Sequence, residues 1–198
     1  MTSSSSPRII LGIDPGTNVL GYGIIAVDAK GPHFVTMGVF DLRKIKDPYE
    51  KLANIAAGVS ELVDTYNPES LAVESPFLGK NAQVILKLGR AQGSAITAAT
   101  LKGVPVFEYA PRLAKIAIAG NGAASKEQVA DMLERTLGEK LDTKYLDATD
   151  ALAIAMCHYF KTSGPLAGTA PSTSSGKGRK SSSGGWEKYI AENPERVK

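Results

Sequence analysis

Four acidic side chains adjoin apolar segments that are far apart in the sequence. Asp14 follows the apolar residues 9–13, Glu74 follows residues 71–73, and Asp147 and Asp150 open an apolar stretch. Residues three apart share one face of a helix, so the last two carboxylates point the same way. If the first two segments are neighbouring strands, their ends bring Asp14 and Glu74 together. A helix packed across that sheet edge would add Asp147 and Asp150.

Four carboxylates in one cavity repel each other strongly unless divalent cations lie between them. A ligand set made only of oxygens favours magnesium or manganese over zinc or copper. The chain has two histidines and one cysteine, which disfavours a zinc site of the Cys/His type. Two ions about 3.5–4 Å apart can clamp an in-line displacement at phosphorus. The acids therefore predict hydrolysis of a phosphodiester.

Each acid also has a purely structural interpretation. The Asp14-Pro15-Gly16 sequence is typical of a turn, and an acid at a strand end such as Glu74 is usually solvated. Acids near a helix N-terminus, such as Asp147 and Asp150, favour the helix dipole. What argues against these interpretations is that all the acids adjoin segments that must be buried.

The elements that would position these acids follow from hydrophobic periodicity and from turn and capping residues. Predicted strands cover residues 8–13, 19–27, 34–40, 70–74 and 104–108, and predicted helices cover residues 47–66, 81–101, 111–118, 125–137 and 147–159. Short connections between the first three strands indicate an antiparallel meander. The order of elements predicts an α/β fold with a five-stranded mixed sheet flanked by helices.

Composition divides the chain into three parts. We expect a disordered N-terminus at residues 1–7, a folded domain at 8–161, and a mostly disordered Ser/Gly-rich tail at 162–198. No apolar run reaches the roughly 18 residues of a membrane span, and no secretory signal is evident. The lone Cys157 fits a reducing compartment. We therefore expect a cytoplasmic protein.

The net charge of +3 is unevenly placed. Residues 164–198 hold six Lys/Arg and three acids, which leaves the rest of the chain formally neutral. If DNA is a partner, local basic patches must hold it. The basic tail could add non-specific DNA affinity, but such a run more often keeps a linker soluble.

Eight short motifs, taken in order, resemble the RuvC family of Holliday junction resolvases (crossover junction endodeoxyribonucleases). They are residues 12–17 (GIDPGT), 21–23 (GYG), 73–77 (VESPF), 80–81 (KN), 86–93 (LKLGRAQG), 105–112 (PVFEYAPR), 120–129 (GNGAASKEQV) and 147–155 (DATDALAIA). Single motifs are weak signals, whereas the ordered set is specific. The resemblance spans about residues 8–160 and leaves the tail uncovered.

The resemblance implies a ribonuclease H-like fold and magnesium-dependent paired nicking of four-way DNA junctions in recombination and repair. Two Mg2+ ions per site would be held, with Mn2+ able to substitute. Asp14, Glu74, Asp147 and Asp150 fall on the family's catalytic, metal-binding positions; some relatives have His where this chain has Asp147. The implied partners are junction DNA, a second copy of the chain and a branch-migration helicase complex.

The same resemblance suggests residues that contact DNA. Phe77 falls where the family places an aromatic near unpaired bases, and stacking there is worth roughly 1–3 kcal/mol per base; packing in the core is its alternative. Lys115 and Lys126 fall on basic positions that the family uses for DNA, and Lys126 could meet a phosphate together with the amides of a helix N-terminus. Lys80 and Arg112 are further candidates. Any single lysine could instead be a solvated surface charge.

The helix at residues 81–101 is rich in small residues, which permits close packing in the core or at a dimer interface. A two-fold protein would match the near two-fold symmetry of a four-way junction.

Three other functions fit parts of the pattern. An ATP-dependent kinase or actin-like protein also opens with a strand and an Asp-x-Gly-Thr turn, but it needs a second lobe. A catalytically silent DNA-binding or scaffold module could share the fold, although all four acids are present here. A related nuclease could cut RNA or another branched DNA, because the acids act on the phosphate group and do not distinguish these substrates.

Overall fold

A computed structural model describes residues 6–76, 81–142 and 144–163 of the chain. The predictions for Phe77 and Lys80, and nearly all of those for the segments 1–7 and 162–198, lie outside the described residues. The described part contains the whole region that carries the four acids.

Strands and helices follow one another much as the sequence predicts. The strands are β1 (Arg8–Asp14), β2 (Val19–Asp28), β3 (Gly31–Asp41), β4 (Ser70–Glu74) and β5 (Val106–Tyr109). The helices are α1 (Pro48–Tyr66), α2 (Ala82–Leu101), α3 (Pro111–Ala119), α4 (Lys126–Leu137) and α5 (Leu146–Thr162). Capping residues fix the starts: the side chains of Asp47, Asn81 and Ser125 accept hydrogen bonds from the first backbone amides of α1, α2 and α4.

Three boundaries differ from the predicted ones. β3 begins at Gly31 rather than at Phe34, because the β2–β3 ladder continues to the pair Asp28 and Gly31 beside the turn. β5 begins at Val106 rather than at Val104, after Pro105, whose nitrogen cannot donate a ladder hydrogen bond. α5 extends to Thr162, whose hydroxyl bonds the His158 carbonyl one turn earlier.

The five strands form one sheet in the order β3-β2-β1-β4-β5. β1, β2 and β3 pair antiparallel, as the predicted meander requires, whereas β4 lies parallel to both β1 and β5. Ile13 pairs with Val73 in the β1–β4 ladder. The next residue of each strand is an acid, so Asp14 and Glu74 end neighbouring parallel strands at the same edge of the sheet.

Helices cover both faces of the sheet. Leu11 and Ile13 of β1 pack with α1 and α2 on one face, and Ile10 packs with α4 and α5 on the other. Helix α5 is buried along most of its length. None of the helices in the described residues combines the length and apolar character that a membrane crossing needs.

A buried polar network ties α5 to β4 and β5. The two ring nitrogens of His158 lie 3.1 Å from the Ser70 hydroxyl and 2.7 Å from the Tyr109 hydroxyl, and the Phe107 ring lies 4.5 Å away. A hydroxyl can donate or accept, so a neutral imidazole is satisfied on both sides. Burial lowers the pKa of His158 to about 4, which means that the folded protein holds this ring neutral.

This network predicts how stability depends on pH. The unfolded chain protonates His158 near pH 6.5, whereas the folded protein resists protonation until about pH 4. The stabilisation is therefore present above pH 6.5 and is lost as the pH falls from 6.5 towards 4. We expect the difference in free energy of unfolding between wild type and His158→Gln to shrink by about 2 kcal/mol between pH 7 and pH 5. Urea unfolding without metal, followed by circular dichroism, measures this gap. All other titrating groups are common to both proteins, so a gap that stays constant would contradict the prediction.

Candidate active site

The four predicted acids meet at one edge of the sheet. Asp14 ends β1, Glu74 ends β4, and Asp147 and Asp150 lie in the first turns of α5. Carboxylate oxygens of Asp14, Asp147 and Asp150 all lie within 4.8 Å of one another. Glu74 lies beside this trio and lines one cavity with Asp14 and Asp150.

Glycines in β1 and β2 let α5 approach closely enough to deliver its two acids. A Cβ atom built on Gly21 would lie 2.0 Å from the carbonyl oxygen of Asp147, and one on Gly12 would lie 2.1 Å from that of Ala151. These contacts are to helix backbone, which cannot rotate away. The sequence-based prediction assigned these glycines no role. The available signal was the alternation of Gly21 and Gly23 along β2, with Gly12 of β1 paired opposite Gly23, on the sheet face that α5 covers.

The cavity that holds the acids measures about 400 Å³. Acidic groups lie on its floor at the sheet edge, and its walls come from α2, α3, α4 and the residues that follow β4. Two lysines line it as well, Lys115 from α3 and Lys126 from α4. Such a pocket can receive an anion at its cationic wall while cations are held at its floor.

The carboxyl groups perturb one another as closely placed acids should. Burial raises the pKa of Asp14 to about 8, and the negative charges of Glu74 and Asp150 contribute further. Burial also raises the pKa of Glu74 to about 7, with a contribution from Asp150. The cluster therefore holds protons or bound cations in preference to unscreened negative charge.

Lys126 supplies one cation. Its ammonium group bonds the Asp150 carboxylate and lies 3.7 Å from a carboxylate oxygen of Asp147. The sequence suggested that this side chain would join the amides at the start of α4 in binding a phosphate. In the structure the ammonium lies in the acidic cluster, where the carboxylates of Asp150 and Asp147 attract it, and the capping box of Ser125 and Gln128 uses two of the amides near the start of α4.

The other basic candidates take different positions around the cavity. The Lys115 ammonium donates to the carbonyl of Ala124 at 2.8 Å, which fixes it at the cavity wall. Arg112 is exposed at the start of α3, with its side chain against Gly122. Phe77 and Lys80 fall in the segment outside the described residues.

Two further polar residues, which the sequence analysis did not single out, hold the ends of β1 and β4. Gln92 is buried in α2 and donates to Glu108 at 3.0 Å and to the Glu74 carbonyl at 3.4 Å. Lys51 of α1 donates to the Thr17 carbonyl at 2.9 Å, in the turn that follows Asp14. Gln92 lies within the motif at residues 86–93, which was its only sequence signal.

The donor set fits a divalent metal ion. Asp14, Asp147 and Asp150 offer only oxygen ligands, the choice that magnesium and manganese prefer. Lys126 already occupies part of this space with positive charge, which marks it as a place where a cation is stabilised.

Known proteins resemble this chain along nearly its whole length. A family model described as "Crossover junction endodeoxyribonuclease RuvC" matches residues 10–158. Proteins of that same name are 48% identical to it in Cytophaga hutchinsonii, over 100% of this chain and 94% of the relative, and 48% identical in Bacteroides fragilis, over 96% of each.

Solved structures show the same architecture. "Thermus thermophilus RuvC structure" matches with a TM-score of 0.70 and 37% identity, over 78% of this chain and 95% of that one. "T. thermophilus RuvC in complex with Holliday junction substrate" matches with a TM-score of 0.71 and 33% identity, over 80% and 97%. The sheet order and the flanking helices agree with a ribonuclease H-like fold.

Proposed function

Because the chain belongs to the RuvC family of crossover junction endodeoxyribonucleases, and is thus a Holliday junction resolvase, we propose that the acidic cluster at the end of β1 is its cutting centre. The observation that carries this assignment is the approach of Asp14, Asp147 and Asp150 within 4.8 Å, with Glu74 in the same cavity. We assign all four acids as catalytic, metal-binding residues.

The cluster would hold divalent metal, for which we propose two Mg2+ ions per site, with Mn2+ able to substitute. Bound there, divalent metal would supply activation of a water molecule and stabilisation of the leaving 3′ oxygen. Asp14 and Glu74 contribute from the rigid ends of two paired strands, so their carboxylates are held in place before substrate arrives. Gln92 and Lys51 preserve that geometry by anchoring the backbone at Glu74 and Thr17.

The basic residues around the cavity would bind the DNA backbone. Lys115 lies at the cavity wall, within reach of a phosphate brought to the acids. Arg112 is exposed at the start of α3 and follows Pro111, which lines the cavity. We retain Phe77 and Lys80 as contacts to the junction on the family resemblance, Phe77 as the aromatic that stacks on an unpaired base.

Lys126 has two roles in this scheme: it neutralises the acids when metal is absent and binds the scissile phosphate when metal is present. We expect Lys126→Gln to tighten Mn2+ binding roughly tenfold, because an ammonium no longer competes for Asp150. The same change should weaken junction binding and lower its dependence on salt. Calorimetric titration of the DNA-free protein with Mn2+ tests the first effect. Lys30→Gln, at the far end of the sheet, is the matched control; equal Mn2+ affinity in both variants would count against competition.

Cutting of a synthetic four-way junction tests the proposed function directly. With Mg2+ we expect two symmetrically placed nicks in strands of like polarity, and with a chelator no product. Linear duplex of the same sequence is the control and should stay intact. Equal cutting of duplex and junction, or cutting that survives the chelator, would refute the proposal.

We also propose that the enzyme is a homodimer. The outward face of α2 exposes the large apolar side chains Leu86 and Leu101, 57% and 83% accessible. A Cβ atom at Gly89 or Gly93 on that face would meet nothing within 4 Å among the described residues, so a second helix could approach closely there. Sedimentation velocity measures the mass. On family resemblance alone we add a branch-migration helicase complex as partner and the cytoplasm as the place of action.

A further inference from the structure

A second cavity lies beside the turn that follows Asp14, outside the acidic cluster. It measures about 410 Å³ and is bounded by Thr17 and Asn18, the start of α1 and the first half of α2. Among the described residues, its lining includes four basic side chains and no acid: Lys46, Lys51, Lys87 and Arg90. We call this cavity the basic groove.

Lys51 is the fixed member of the basic groove. Its ammonium donates to the Thr17 carbonyl at 2.9 Å and to the Asn18 side chain at 2.8 Å. Its two hydrogen-bond acceptors are therefore neutral groups rather than carboxylates. Asp47, next to Lys46 in the chain, turns its carboxylate to the amides of Tyr49 and Glu50 instead of the groove.

The three other cations line the same groove and have no counter-ion among the described residues. Within the part of the chain that the structure describes, no carboxylate forms an ion pair with Lys46, Lys87 or Arg90. Cations gathered around one concave surface focus a positive potential there and attract an anion. The exposed ring of Tyr49 lies at the same groove, 71% accessible.

The basic groove adjoins the acidic cluster. Thr17 is three residues from Asp14, a separation that an extended chain spans in at most about 11 Å. Helix α2 forms a shared wall, because Leu88 lines the acidic cavity while Lys87 and Ala91 line the groove. Since a DNA strand advances about 3.4 Å per nucleotide, the groove lies within about three nucleotides of the acids.

We propose that the basic groove binds backbone phosphates of the cut strand, within about three nucleotides of the scissile phosphate. This inference rests on the proposed function and deepens it. Lys115 and Lys126 lie on the α3 and α4 side of the acids, and the groove lies on the α1 and α2 side. The strand is thereby held on both sides of the cut, which restricts movement of the phosphate between them.

The charge of the groove selects its occupant. The chain's own residues 164–198 carry six Lys/Arg against three acids, so they do not complement a cationic surface. The DNA that the adjacent acids would cut carries a high density of phosphates, which complement a cationic surface. An acidic segment of a partner protein is the competing occupant, and the salt response to DNA distinguishes it.

Neutralising the groove tests the proposal. Lys46→Gln/Lys87→Gln removes two cations and spares Arg90, which borders the outward face of α2. Each lost phosphate contact lowers the slope of log affinity against log salt by about 0.9. Between 50 and 200 mM salt, the affinity of wild type for the junction should therefore fall by a factor about twelvefold larger than that of the double variant. Fluorescence anisotropy with a labelled junction and a chelator measures binding without cutting. With Mg2+, the variant should need more junction for half-maximal rate.

Lys30→Gln serves as the control, since it removes a charge from the β2–β3 turn at the opposite edge of the sheet and should leave binding and cutting unchanged. A wild-type salt slope in the double variant overturns the proposal, and so does loss of the dimer in sedimentation, which would make the groove a subunit contact. If the wild-type chain does not cut the junction, the proposed function fails instead. If the wild-type chain cuts the junction and the groove variant has the same salt slope as wild type, the groove assignment is wrong and the proposed function stands.

Discussion

Replacing Asp14 with asparagine should lower the rate constant of junction cutting at least about a thousandfold at saturating Mg2+. The carboxylate ends β1 at the centre of the acidic cluster, where its oxygens lie within 4.8 Å of those of Asp147 and Asp150. Metal ions contribute several kcal/mol to stabilising phosphoryl-transfer transition states, and about 1.4 kcal/mol corresponds to a tenfold change in rate. Single-turnover cleavage of a labelled four-way junction measures the loss.

Junction binding by Asp14→Asn distinguishes a loss of catalysis from a loss of folding. Asp14→Asn should still bind the junction, because phosphate contacts come from basic side chains, and it should lose the rise in melting temperature that Mn2+ gives wild type. Asp28→Asn is the matched control: its carboxylate ends β2 at the far edge of the sheet. Cutting within tenfold of wild type by Asp14→Asn would show that this acid has no catalytic role.

Replacing Gly21 with alanine should have the second large effect, on stability and on the site together. The added methyl carbon would lie 2.0 Å from the carbonyl oxygen of Asp147 and 3.0 Å from the nitrogen of Ala148. Neither atom can move without shifting the start of α5. Overpacking of this kind costs about 3 kcal/mol. The displaced helix also moves Asp147 away from Asp14, so Mn2+ affinity should fall even in the molecules that remain folded.

Gly38→Ala supplies the comparison for that variant. Gly38 lies in the neighbouring strand β3, and the three atoms nearest to its added methyl all belong to the phenol end of Tyr22, a side chain that can rotate. Its cost should stay below about 1 kcal/mol. Urea unfolding and calorimetric Mn2+ titration of both variants provide the test. Equal stabilities would show that α5 does not need the close approach at Gly21.

The sequence predicted every strand and helix to within a few residues, because local signals set those boundaries. Capping by Asp47, Asn81 and Ser125 acts within one turn of helix, and apolar periodicity shows in the chain itself. The identities of the four acids also followed from local context, since each adjoins an apolar segment.

The direction of the Lys126 side chain illustrates what local signals do not contain. Its position after Ser125 suggested an ammonium beside the amides of the helix start, whereas the acids that attract the side chain in the structure lie on α5, more than twenty residues away in the chain. The same limit applies to the basic groove. Lys46 lies about forty residues before Lys87 and Arg90 in the chain, and only the packing of α1 against α2 places all three around one cavity.

The amino-acid sequence by itself determined the elements, the four acids and the chemistry that oxygen ligands favour, because capping, periodicity and ligand type are properties of residues and their near neighbours. Tertiary structure alone decided that β4 pairs with β1, that α5 lies against Gly12 and Gly21, and that a lysine joins the acids. The contacts of β4 with β1 and of α5 with β1 join residues more than 50 positions apart in the chain. Their choice depends on the free energy of packing the whole chain, which no short segment encodes.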